Sequence, residues 1–174
     1  MKYVKGCLGV LVLLIIDQLT KFLAVAYLKP VVELPLLQGV FSLYYYENRG
    51  AVWGLMQGSV GVLSICTFFI LIFIIWIYSR IPDEKRFRFL KYIAVFIIAG
   101  ALGNLIDRIF RHFVVDFIYF RLIDFPIFNM ADVYVTVSAF ALILLVLFYY
   151  KDEHDFDFLS LRRKKGEKAG EQDA

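Results

Sequence analysis

VDFIYFRLIDFPIFNMADVYVTVSAFALILLVLFYY, residues 115–150, is the stretch that decides the fold. From Asp132 to Tyr150 it runs 19 residues with one acid at its start and apolar or hydroxyl side chains after it. At ~1.5 Å per residue this helix reaches about 28 Å, the thickness of a bilayer core. Asp116 and Asp132 stand at either end of the aromatic segment that precedes it. Charges at the edge of a hydrophobic span are costly unless they do something.

Three more spans are expected outward from this one, over residues 6–28, 60–78 and 90–110, with the last over 132–150. Hydrophobic residues make up 61% of the 174 positions, and the mean hydropathy is +0.71. A soluble domain averages roughly 45–50% apolar residues, and one core of this size could not hide the excess. The chain therefore reads as an all-α integral membrane protein with four transmembrane helices. Residues 1–151 form a single membrane-embedded domain, and residues 152–174 a polar, basic tail.

The first span holds Asp17, Gln18 and Lys21, which interrupt what a secretory signal peptide keeps apolar. It is read as an uncleaved first helix, although Ala24-Val25-Ala26 resembles a cleavage site. Asp17 and Lys21 lie four apart on one helix face and can neutralise each other. Residues 30–58 break the pattern with Pro30, Pro35 and Gly39 between short β-branched and aromatic runs. Such runs predict small strands at the membrane surface, where Tyr44, Tyr45 and Tyr46 suit an interface.

In the third span Gly100 and Gly103 permit close helix approach. Asn104, Asp107 and Arg108 share one face there and must point to the protein interior or a wet cavity. A hydrogen-bond knot between helices would explain them as well as a site would. Asn129 or Asp132 is placed to cap the fourth helix. Cys7 and Cys66 have neither metal-ligand spacing nor a disulfide framework, and are expected to pack inside the membrane.

Of 19 lysines and arginines, 13 fall in the N-terminus, the loop between the second and third spans, and the tail. The positive-inside rule then makes both termini cytoplasmic and gathers the polar residues at the outer end. Arg162-Arg163-Lys164-Lys165 would touch anionic membrane lipids.

Most chemistries lack candidates. His112 and His154 are separated by a whole span, so no metal site or Ser-His triad is visible. There is no phosphate-cradling Gly-rich loop, and the distribution of basic residues gives nucleic acid no binding face. A pair of carboxylates in a site of low polarity remains. Two close acids cannot both ionise easily, so one keeps a proton while the other activates water. Asp107 is a rival for a place in that pair. A small proton-coupled transporter is an alternative class, weakened by the lack of internal repeats and by acids gathered at one end. A noncatalytic scaffold for lipidated peptides is another.

Five segments together resemble the lipoprotein signal peptidase (signal peptidase II) family. They are Asp17-Gln18-Leu19-Thr20-Lys21, Asn48-Arg49-Gly50-Ala51-Val52-Trp53-Gly54, Gly100 to Arg108, Val114-Val115-Asp116-Phe117 and Phe128-Asn129-Met130-Ala131-Asp132. The resemblance implies an aspartic endopeptidase of the bacterial cytoplasmic membrane. Such an enzyme cuts diacylglyceryl-modified prolipoproteins just before the lipidated cysteine, without metal or cofactor, and is expected to act as a monomer. Its catalytic pair maps onto Asp116 and Asp132. Asn48, Gly50, Asn104, Arg108 and Asn129 map onto residues that contact substrate or steady the pair. Asp17 and Lys21 map onto support at the pocket's edge, and Asp107 onto a structural role beside Arg108. The family also implies a β-cradle with a short helix on the outer surface. Val52 and Val133 stand where the family usually has alanine and often serine.

Overall fold

The computed structural model describes residues 2–50, 58–152 and 155–159. Four helices are long and apolar enough to cross a membrane. Helix α1 spans Lys2–Leu23 and widens into a π-helical turn, Ala24–Leu28. Helix α2 spans Val60–Arg80, α3 Arg88–Arg111 and α4 Met130–Phe148. Outward faces of these helices carry exposed residues such as Ile65, Phe69, Phe140 and Leu147, the inverse of a soluble bundle. Such side chains are at no disadvantage against lipid tails.

Helix α3 is the central post, and α1, α2 and α4 each pack on it. Two glycines set how closely. A Cβ on Gly103 would lie 2.4 Å from the Asp17 carboxylate on α1, and one on Gly100 would lie 2.5 Å from the Ala131 carbonyl on α4. Any other residue would push the outer helices away from the post.

One end of the bundle carries a three-stranded antiparallel sheet in the order β1-β2-β3. Strand β1 is Glu33–Leu37, β2 Phe41–Asn48 and β3 Val114–Tyr119. The sequence places the cradle within 30–58, whereas its third strand comes from between α3 and α4. Val114-Val115-Asp116-Phe117-Ile118-Tyr119 is a β-branched and aromatic run, suited to a half-buried pleated surface. Val115 is fully buried, and it packs with Phe117 against Ala24 and Leu28 of the π-helical turn. The register sets Tyr46 opposite Asp116 and Asn48 opposite Val114. The short helix beside the sheet is a 3-10 turn, Arg121–Ile123.

Three further points depart from the sequence reading. Helix α4 begins at Met130, two residues before the expected span, because Asn129 is its cap. Cys7 and Cys66 are exposed on the helix surfaces and do not pack within the bundle. The expected tail from 152 is not free at its start. Arg86 forks onto Asp155 through Nε (2.7 Å) and a terminal nitrogen (2.8 Å), and reaches Asp152 at 2.9 Å. Phe87 stacks on Tyr150 with ring centres 5.9 Å apart, and Phe156 and Phe158 pack against the same core. Arg162 to Lys165, His154 and Val52 lie outside the described residues.

Candidate active site

Asn129 brings the two halves of the site together. Its extended backbone makes it the cap of α4, and its Oδ1 accepts from the Asp132 amide at 3.1 Å. Asp132 answers from the third helical position, where its Oδ2 accepts from the Asn129 amide at 3.1 Å. This reciprocal capping box satisfies two helix N-terminal donors. With its carbonyl so engaged, Asn129 must turn its NH2 the other way. There Nδ2 donates to Asp116 Oδ1 at 2.6 Å and to Asn104 Oδ1 at 3.2 Å. One side chain thus links a carboxylate on a strand to a carboxylate on a helix.

Each acid has a second amide. Asn48 Nδ2 donates to Asp116 Oδ2 at 2.9 Å, and the Gly50 amide fixes Asn48 by donating to its Oδ1 at 3.0 Å. Asn104 Nδ2 donates to Asp132 Oδ1 at 2.8 Å. Asp116 is 1% exposed. Burial, reinforced by the charge of Asp132, raises its carboxyl to about 7, against the pull of the Asn48 and Asn129 amides and of Lys21. A carboxyl in that condition can hold a proton near neutral pH.

Asp17 and Lys21 are expected at the pocket's edge, but both are completely buried. Lys21 Nζ lies 3.0 Å from Asp17 Oδ2 and 3.2 Å from Asp107 Oδ2, and donates to Asn104 Oδ1 at 2.8 Å. They reach this depth because Gly103 lets α1 close on α3. Asp17 also accepts from the Ala131 amide at 3.0 Å, tying α1 to the start of α4. Asp107 accepts from the Val115 amide at 3.1 Å and pairs with Arg111 at 3.4 Å. Its partners are cations and backbone, in contrast to the amide-held Asp116 and Asp132.

The pair opens into a cavity of about 1190 Å3. Asn48, Gly50, Asn104 and Arg108 line its polar side, and Ile70, Ile97 and Val137 belong to its apolar walls. Thr67 and Ile70 come from α2, and Val133, Thr136 and Val137 from α4, so the cavity continues between these two helices. Among the described residues, no group of three or more His, Cys, Asp or Glu side chains is placed to hold a metal ion.

A family profile described as Signal peptidase (SPase) II matches residues 9–148. This chain belongs to the signal peptidase II family. The peptidase is 39% identical over 140 residues to a lipoprotein signal peptidase of Fusobacterium nucleatum subsp. nucleatum, covering 80% of this chain and 84% of the relative. With that of Clostridium novyi it shares 39% over 137 residues, covering 77% and 91%. A bacterial membrane enzyme solved by the in meso method at 2.3 Å superposes with a TM-score of 0.75 at 31% identity, covering 86% of the peptidase and 92% of that chain.

Of the residues read from sequence, Asp116, Asp132, Asn48, Asn104 and Asn129 form one hydrogen-bonded cluster, and Arg108 and Gly50 line the cavity beside it. Val133 stands on the cavity wall, so that departure from the family pattern faces the site. Gln18, to which the sequence alone assigns no role, donates through Nε2 to Asp17 Oδ2 at 3.1 Å and to the Gly103 carbonyl at 3.3 Å. An amide next to an acid inside an apolar helix was the available signal.

Proposed function

We propose that this peptidase removes signal peptides from bacterial prolipoproteins, cutting on the N-terminal side of a diacylglyceryl-modified cysteine with Asp116 and Asp132 as its catalytic pair. The observation that carries this reading is the pair of buried carboxylates joined through Asn129, one of them raised to about 7. Between them the two acids hold one proton. The ionised member draws a proton from a water as that water attacks the scissile carbonyl, and the protonated member hydrogen-bonds the carbonyl oxygen. Protons return to the leaving amine, with no covalent enzyme intermediate. The pair titrates as a unit, so base and acid belong to the dyad as a whole.

Arg108 lines the cavity within the field of both acids and suits the polar backbone of the bound peptide. The apolar slot between α2 and α4 suits the acyl chains, which enter sideways from the bilayer. Both termini lie in the cytoplasm, the sheet and dyad lie at the outer face, and the enzyme works as a monomer within the cytoplasmic membrane. Residues 1–151 supply the catalytic domain. Residues 152–174 form the cytoplasmic tail, docked at its start by Arg86.

The test uses purified enzyme with one prolipoprotein in two forms, with and without the diacylglyceryl group. Cleavage before the modified cysteine, read by gel shift and mass, is the expected result. Equal cleavage of the unmodified form, or a cut elsewhere, contradicts the proposal.

A further inference from the structure

We infer that Lys21 is a positioning residue for the dyad: through Asn104 it sets how both carboxylates are held, beyond pairing with Asp17 and Asp107. This inference rests on the dyad reading above. An ammonium only donates hydrogen bonds. At 2.8 Å from Lys21 Nζ, Asn104 must therefore present its carbonyl oxygen, and its NH2 is obliged to face Asp132 Oδ1, also at 2.8 Å. The same carbonyl oxygen accepts from Asn129 Nδ2, which donates on to Asp116 at 2.6 Å. One cation thus heads a branched path that ends on both acids.

Without Lys21 the carbonyl of Asn104 keeps only the longer bond from Asn129, at 3.2 Å, and that is too weak to hold the amide against two unpaired acids. Its NH2 would turn to the freed carboxylates of Asp17 and Asp107, and its carbonyl would face Asp132 and repel the ionised form. The charges around the group support the same division of labour. Lys21 pairs with Asp17 on its own helix and with Asp107 on α3 and acts at longer range on Asp116 of β3 and Asp132 of α4, while Arg108 and Arg111 of α3 act on the same set of acids. Four acids sharing one proton then balance Lys21, Arg108 and Arg111. Removing Lys21 leaves excess negative charge, so the dyad keeps its proton to higher pH. A cation that only neutralised Asp17 and Asp107 would affect the amount of folded protein and leave the dyad's titration in place.

The experiment measures kcat and KM against pH for cleavage of diacylglyceryl-modified prolipoprotein by wild type and by Lys21→Met, Asn104→Ala and the double variant. Lys21→Met is expected to lower kcat with little change in KM, and to move the whole pH profile up by about one unit. In the Asn104→Ala background the further loss of Lys21 is expected to lower kcat by less than half of the factor seen in wild type, because the path is already cut, while the pH shift, carried by charge, remains. Where Lys21→Met fails to fold, Asp17→Asn with and without Lys21→Met isolates the same step with one fewer unpaired acid, and the upward shift must appear there. A profile that stays in place in Lys21→Met, or kcat losses that multiply fully in the double variant, overturns the inference. The dyad reading fails separately, by cleavage in Asp116→Asn.

Discussion

Replacing Asp116 by Asn is expected to abolish cleavage and, at neutral pH and above, to make the protein more stable. The fold raises this carboxyl from 3.8 to about 7 by burying it and by setting Asp132 nearby. Its folded value exceeds its unfolded one, so the native state binds the proton more tightly, and stability declines as pH rises between the two. The difference is about 3 units, which at ~1.36 kcal/mol per unit amounts to about 4 kcal/mol once pH exceeds 7. Asn carries no charge, so the variant is spared this cost, but its NH2 cannot accept from Asn48 or Asn129 as a carboxyl oxygen does, which takes back about 1–3 kcal/mol. For a chain of this size the net gain is on the order of 5 °C in Tm. Thermal unfolding in detergent, followed by tryptophan fluorescence, measures it. The gain should be full at pH 8 and be lost or reversed below pH 3, where wild type holds the proton whether folded or not. A variant no more stable than wild type at pH 8, or equally stabilised at both pH values, refutes the reasoning.

The same raised carboxyl places the alkaline limb of the wild-type cleavage profile near pH 7, because the dyad loses its shared proton there; a rate constant up to pH 9 contradicts it. Gly100→Ala forces a Cβ to within 2.5 Å of the Ala131 carbonyl. It is expected to cost about 1–3 kcal/mol and to lower kcat by displacing the start of α4, readable by unfolding and cleavage of the folded fraction. In a background free of Cys7 and Cys66, a membrane-impermeant maleimide should label Gly39→Cys from outside intact cells and Ala174→Cys only after permeabilisation. The reverse pattern would invert the topology.

The helices were legible because a bilayer demands length and apolarity, and residues 60–78 and 90–110 satisfy both without help from the rest of the chain. Asp116, Asp132 and Asn129 were legible as polar groups where polarity is expensive. Strand β3 was harder, since Val114–Tyr119 pairs with residues some seventy positions away, and no local pattern names that partner. The depth of Lys21 was also hidden. Near the end of a span a lysine reads as interfacial, and only the close approach at Gly103 shows that it is enclosed. Arg86 reads as one more loop cation until the chain returns with Asp152 and Asp155.

The most direct test of the dyad compares Asp116→Asn, Asp132→Asn and Asp107→Asn with wild type. Each is checked for folded protein in the membrane and assayed by gel shift on diacylglyceryl-modified prolipoprotein. Folded Asp116→Asn and Asp132→Asn are expected to cut nothing, while Asp107→Asn retains cleavage in proportion to the amount that folds. Cleavage by Asp116→Asn together with a folded but inactive Asp107→Asn would contradict it, and would move the first catalytic acid from β3 to α3.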